Sequence, residues 1–234
     1  MTIRNMLSAI AALSFPLSSA AGAEEAAQPA KVVACVGDSI TFGSGTTKGN
    51  AYPAQLQRML GDGWTVRNFG VGGRTLLRKG NLPYWKEKAY QNALASKPDY
   101  VILMLGTNDT KPQNWKFESE FDRDYRDLVK SFLDLPSKPK VFACLPCPVP
   151  EPGNFGINET NVRLEIPRIE AIAKDLKLGV IDMHAALEDH PEFLPDRVHP
   201  NDDGARLMAA AAFTALTGKP APEKKTAPEP AMAE

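Results

Sequence analysis

Apolar residues follow two rhythms along the middle of the chain. Five short runs are rich in apolar residues: 32–36, 65–69 (interrupted by Arg67 and Asn68), 100–105, 141–145 and 179–182. Between them lie longer segments in which apolar side chains return every third or fourth position. The clearest is Phe117, Phe121, Tyr125, Leu128 and Phe132, spaced i, i+4, i+8, i+11 and i+15 with charges on the other faces. That spacing predicts a helix whose stripe packs into the core. Segments 51–60 and 82–95 read as helices too. So does 161–176, where Pro167 either kinks the helix or opens a second piece. A last helix is expected to run from a cap near residues 201–203 to Gly218.

Near-continuous apolar strands alternating with amphipathic helices predict an α/β fold, a five-stranded parallel sheet buried on both faces by helices. Ligands of such sheets bind beyond the carboxyl ends of the strands, so chemistry is expected just after each run.

The two ends of the chain read differently. Arg4, the apolar run 6–17 and Ala21-Gly22-Ala23 have the order of an export signal, with cleavage expected after Ala23. The alternative is an uncleaved anchor, although the run is short for a bilayer span. Export would place the protein in a periplasm or outside the cell, with no stable membrane insertion after cleavage. Residues 218–234 are Pro, Ala, Lys and Glu with almost nothing to bury, and a disordered tail is expected there. Residues 24–217 then form one domain, with no linker or repeat dividing them. The net charge is −1, and removal of Arg4 with the leader makes it −2. A chain so close to neutral offers no electrostatic attraction for nucleic acid or an anionic membrane. Its oligomeric state is not legible.

Three cysteines are present. Cys35 sits inside an apolar run and reads as a small buried hydrophobe. Cys144 and Cys147 form a C-x-x-C, but Pro146 and Pro148 keep it from opening a helix as a redox pair would. A local disulfide between them stays open.

Four of the five run ends carry candidate chemistry. After the first comes "GDSITFG" (37–43), which presents Ser39 where a nucleophile belongs; taken alone, Gly-Asp-Ser is also an ordinary turn. After the second comes "FGVGGRT" (69–75), whose glycines bring backbone N–H groups close to a ligand. After the third, "LGTNDTKPQNW" (105–115) offers Asn108, as an amide donor or as a helix cap. Near the chain's end, "DRVHPNDDG" (196–204) sets Asp196 three residues before His199, close enough to orient the imidazole. His184 and His190 lack such a pattern. A metal site from Asp182, His184, Asp196 and His199 fits no ligand frame, so neither metal nor cofactor is expected.

Serine, glycine N–H, asparagine amide and Asp-x-x-His, in this order, resemble the SGNH (GDSL-type) hydrolase family over most of residues 31–217. "GDSI" resembles its serine block, "NFGVGG" its glycine block, "GTND" its third and "DRVH" its fifth. The resemblance implies a flavodoxin-like three-layer sandwich and ester hydrolysis through an acyl-enzyme. Ser39 would be the nucleophile, His199 the base and Asp196 its partner. Backbone N–H of Ser39 and Gly73, with the Asn108 amide, would form the oxyanion hole, Gly70 and Gly72 being near enough to leave the glycine open. The wording also resembles exported carbohydrate and sialate O-acetylesterases. This implies a small-molecule or carbohydrate substrate carrying short acyl groups, most simply acetyl. The alternatives are a lysophospholipase, thioesterase or arylesterase of the same fold, or a non-catalytic carbohydrate-binding module. Trp85 and Trp115 are candidate sugar platforms. Arg74, with Arg78 or Lys79, is a candidate carboxylate contact.

Overall fold

The computed structural model describes residues 29–223. The expected leader, 1–23, lies outside the described residues, as does most of the expected tail. Five strands form one parallel sheet in the order β2-β1-β3-β4-β5: β1 (Lys31–Gly37), β2 (Trp64–Gly70), β3 (Tyr100–Met104), β4 (Lys140–Leu145) and β5 (Gly179–Asp182). Among the described residues eight α-helices connect and cover them: α1 (Ser39–Phe42), α2 (Tyr52–Leu60), α3 (Lys88–Ala95), α4 (Pro112–Trp115), α5 (Phe121–Leu133), α6 (Glu159–Leu176), α7 (Met183–Leu187) and α8 (Asp202–Thr217).

The continuous apolar runs arise because both sheet faces are buried, each by a different set of helices. Alternate residues of one strand therefore enter different cores. Ala34 and Val36 of β1, Val101 and Leu103 of β3, and Val141 and Ala143 of β4 meet Tyr90, Phe121, Tyr125, Leu128, Phe132 and Ile169 of α3, α5 and α6. Val33 and Cys35, Ile102 and Met104, and Phe142 and Cys144 pack instead on Leu56 of α2, Leu187 of α7 and Met208, Ala209 and Ala212 of α8. Each fully buried large apolar side chain in these layers contributes about 1.5–3 kcal/mol of transfer free energy. Edge strand β2 is only partly covered and carries exposed Arg67 and Asn68, which discourage pairing with another chain.

One expected helix is broken up, and in another the structure decides between the alternatives left open by Pro167. Segment 82–95 is not one helix: Pro83 and Glu87 are extended, with a 3₁₀ turn at Tyr84–Lys86 between them and α3 following. Its backbone is claimed by Thr75, whose N–H donates to Leu82 O at 3.0 Å and whose O accepts from Tyr84 N–H at 2.9 Å. In α6, Pro167 neither divides nor ends the helix. Its ring lies on the exposed side, where the carbonyl that loses its partner can turn toward solvent. Among the described residues no helix is long and apolar enough to cross a membrane.

Candidate active site

The site lies at the carboxyl ends of β1 and β3, where the connections leave the sheet. β1 stops at Gly37, and Asp38 caps the next turn by accepting Ile40 N–H at 2.9 Å. This forces the chain straight into α1 and presents Ser39, half-buried, at its first position. Far along the chain, the turn before α8 is closed by Asp196 Oδ1, which accepts Val198 N–H at 3.0 Å and His199 N–H at 2.7 Å. Arg197 adopts φ +68° to make this possible. The turn points the ring back at the carboxylate: His199 Nδ1 lies 2.7 Å from Asp196 Oδ2 and Nε2 lies 2.9 Å from Ser39 Oγ.

Burial acts to raise the Asp196 pKa, but the two backbone N–H donors and the facing ring outweigh it and hold the carboxyl below its usual range. An ionised Asp196 accepts a proton held on Nδ1. Nε2 is left with its lone pair toward the serine hydroxyl.

The glycine segment divides its labour. Gly70 N–H is already given to Asn68 Oδ1 at 2.8 Å, so it is not available to a ligand. Its missing side chain serves packing, because a Cβ there would strike the backbone nitrogen of Phe42 in α1. Gly73, at φ +78°, turns the loop over the serine and lines the same cavity as Ser39 and Asn108. Among the described residues, the backbone N–H groups of Ser39, Gly72 and Gly73 have no acceptor. Unpaired donors gathered around one serine hydroxyl could hold an oxygen there. Asn108 is buried, and its amide nitrogen donates to Asp38 Oδ2 at 3.1 Å and Arg74 O at 3.2 Å. Its backbone carbonyl accepts from Asn114 Nδ2 at 2.8 Å, so side chain and main chain are both anchored.

Three acids lie buried behind this layer. Burial pushes Asp38 up to about 6, against the pull of its Ile40 and Asn108 donors. Asp109 is raised by burial although it accepts N–H from Leu76 at 2.9 Å and Leu77 at 2.7 Å. Glu165, raised well above its usual value by burial and by Asp109, rests against Gly106 with no hydrogen-bond partner on either oxygen. Burial and the missing partners both disfavour the charged form of Glu165.

The cavity measures about 230 Å³ and is lined by Ser39, Gly73, Asn108 and His199 together with Lys111 and Phe155. It does not include Arg74, Trp85 or Trp115. Arg74 pairs with Glu87 at 2.8 Å and donates to Gly72 O at 2.7 Å, bracing the glycine loop from behind. Trp85 donates its ring N–H to Leu76 O at 2.7 Å and is covered by the Arg78 guanidinium at 3.6 Å. Trp115 packs on Phe121 and Arg168. All three candidate substrate contacts are occupied by structural partners.

Lys111 and Phe155 stand out only in the structure, because nothing in "DTKPQ" or "PGNFG" distinguishes them from other loop residues. Cys35, Cys144 and Cys147 are buried free thiols. His184 meets Glu159 at 2.8 Å and His190 meets Glu192 at 3.1 Å, both outside the serine cavity. Among the described residues no cluster of His, Cys, Asp or Glu is arranged for a metal.

A serine, an imidazole and a carboxylate linked in a row beside free amide donors, at the rim of a 2-1-3-4-5 parallel sheet, describe an SGNH-type α/β protein. The chain belongs to the GDSL-like lipase/acylhydrolase family, which it matches over residues 35–207. An acetylxylan esterase of Xylanibacter ruminicola is 42% identical over 205 residues, covering 79% of this chain and 42% of that protein. The chain thus spans less than half the length of that relative. Among solved structures, the carbohydrate acetylesterase Est24 of Sinorhizobium meliloti has a TM-score of 0.65 at 23% identity, covering 80% of this chain and 99% of its own. A two-domain esterase active on acetylated mannans has a TM-score of 0.62 at 24% identity, covering 81% of this chain and 49% of its own. At these identities the likeness to both structures is one of fold.

Proposed function

We propose that the protein is an exported serine esterase that removes short acyl groups, chiefly acetyl, from a carbohydrate. The observation that carries this reading is the continuous contact from Asp196 Oδ2 through His199 to Ser39 Oγ, at 2.7 and 2.9 Å, beside unpaired N–H donors. His199 Nε2 takes the hydroxyl proton as Ser39 Oγ attacks the ester carbonyl. The carbonyl oxygen gains the negative charge and is held by N–H of Ser39 and Gly73 and by the Asn108 amide. Collapse breaks the bond to the sugar oxygen, which leaves with the proton from His199. Water then attacks the acyl-serine, gives its proton to His199, and releases the acid with the Ser39 hydroxyl restored.

A cavity of about 230 Å³ favours a small acyl group, since pockets for drug-sized ligands run to roughly 300–1,000 Å³. The acetylxylan esterase relative and the carbohydrate acetylesterase fold neighbour favour acetyl on a sugar. Export is favoured by Arg4, the apolar run that follows and Ala21-Gly22-Ala23; mass spectrometry of the secreted protein should find its N-terminus at Glu24.

The deciding test is Ser39→Ala assayed on p-nitrophenyl esters of increasing chain length. The wild type should hydrolyse acetate best, with a steep fall beyond butyrate. The variant should keep its melting temperature and lose at least about 10⁴-fold in kcat. Retained turnover by the variant would end the serine mechanism, and a preference for long chains would end the acetyl assignment.

A further inference from the structure

The basic residues near the glycine loop are neutralised where they stand. Arg74 pairs with Glu87, Arg78 with Asp124 and Asp127, and Lys79 with Glu120. Lys111 differs. It is half-buried and lines the cavity beside Ser39 and Asn108, and among the described residues its ammonium forms no ion pair. The negative charge that acts on it, Asp38, lies buried behind the cavity with its carboxylate already engaged by Ile40 and Asn108. Partial desolvation with no partner disfavours the charged lysine, and its pKa is lowered accordingly. An anion arriving in the cavity would relieve that cost.

Next to Lys111 stands an exposed aromatic ring. Phe155 is 54% exposed, with its ring centre 5.6 Å from that of His199. Its backbone adopts φ +53°, unfavourable for a bulky side chain. The turn is held in place all the same. Asn154 and Ile157 exchange backbone bonds at 3.1 and 2.7 Å, and Asn154 Nδ2 donates to Asp196 O at 2.9 Å. At Gly156 a Cβ would sit 3.9 Å from Lys111 Cγ, so the turn and the lysine stem are neighbours. A strained turn fastened to the Asp196 loop therefore holds an apolar face and an unpaired cation at one mouth. A neutral sugar has use for the ring alone; a sugar carrying a carboxylate has use for both.

We infer that Lys111 and Phe155 form a subsite for an acidic sugar, with the ring stacked on Phe155 and its carboxylate on the Lys111 ammonium. The substrate class is then an acetyl ester on, or adjacent to, a uronic acid. This rests on the acetylesterase reading and adds to it the charge of the sugar. The test compares kcat/KM for acetate release from an acetylated galacturonate oligomer and from an acetylated xylo-oligosaccharide, using one preparation of each variant. The wild type should prefer the acidic substrate, and the preference should shrink as salt is added. In Lys111→Met the ratio of the two values should fall by about tenfold, the cost of losing a hydrogen bond to a charged group, and the loss should appear in KM. Lys111→Arg should keep the ratio, which guards against a folding defect. Equal losses on both substrates, or a loss confined to kcat, would overturn the subsite. Wild-type turnover of p-nitrophenyl acetate separates the two levels: turnover without acidic preference removes the subsite alone, and no turnover on any ester removes the esterase reading with it.

Discussion

Asn108 shows how much one side chain can be asked to do. Its amide nitrogen has two hydrogens, and without substrate both are held by long bonds to Asp38 and Arg74 O. In the proposed reaction one of these would be exchanged for the developing oxyanion, with little energy gained until the charge forms. Asn108→Ala should therefore reduce kcat by about 10²–10³ while KM moves little, as is typical for one lost oxyanion donor. Steady-state kinetics on p-nitrophenyl acetate checks this, and an equal rise in KM would mean that Asn108 holds the ground state instead. Gly73 belongs beside it. Three glycines in "FGVGGRT" compete for the same role on paper. The structure removes one of them, because Gly70 donates to Asn68, while Gly73 lines the cavity and Gly72 beside it also keeps an N–H unpaired among the described residues.

Among the elements, the short helix α1 has the most demanding placement. Four residues long, it cannot be stable by itself. It is held by the Asp38 cap, by the Asn68 amide donating to Thr41 O at 2.8 Å, and by backbone contact with Gly70. Gly70→Ala would insert a methyl group into that contact, and no rotamer can move backbone aside. The expected cost is about 1–3 kcal/mol, as for other overpacked sites, with kcat falling because Ser39 rides on α1. Thermal melting and esterase kinetics on the variant check both effects; an unchanged kcat would mean that α1 need not keep its place. The contrast with segment 82–95 is instructive. Its apolar spacing suits a helix, yet Thr75 takes its backbone bonds and only the last eight residues remain helical.

At the scale of the molecule, the buried acids set the response to pH. Asp38, Asp109 and Glu165 all have raised pKa values when folded, so the folded chain binds more protons than the unfolded one. Stability from this source is full below the ordinary carboxylate range and is lost as pH rises through about 6, the value for Asp38, and above. Asp196 works in the opposite sense: its lowered pKa contributes stability above the ordinary range, lost as pH falls through its folded value. The melting temperature should therefore rise as pH is lowered from 8 toward 5 and fall again in stronger acid. Each kcal/mol is worth about 2–4 °C in a domain of this size. Glu165→Gln, which removes a proton-binding group without changing shape, should flatten the upper part of the profile. A melting temperature that climbs from pH 5 to 8 would contradict the raised values.

Local pattern alone determined the five strand runs, the stripe of α5 and the order of the four chemical blocks, because burial on two sheet faces and a repeat of 3.6 residues leave their mark on neighbouring positions. Ser39, Asp196 and His199 could be picked out for a related reason: Ser39 follows the first strand run directly, and Asp196 and His199 stand three residues apart just before the cap of the last helix. Only the tertiary structure decided what lies around them. Arg74, Trp85 and Trp115 resembled substrate contacts by composition but were taken by Glu87, Leu76 and Phe121, while Lys111 and Phe155 reached the cavity from unremarkable loops. Whether a charge is free or an aromatic face is bare depends on residues that are distant in the chain, and contacts of that kind leave no periodic trace in the order of amino acids.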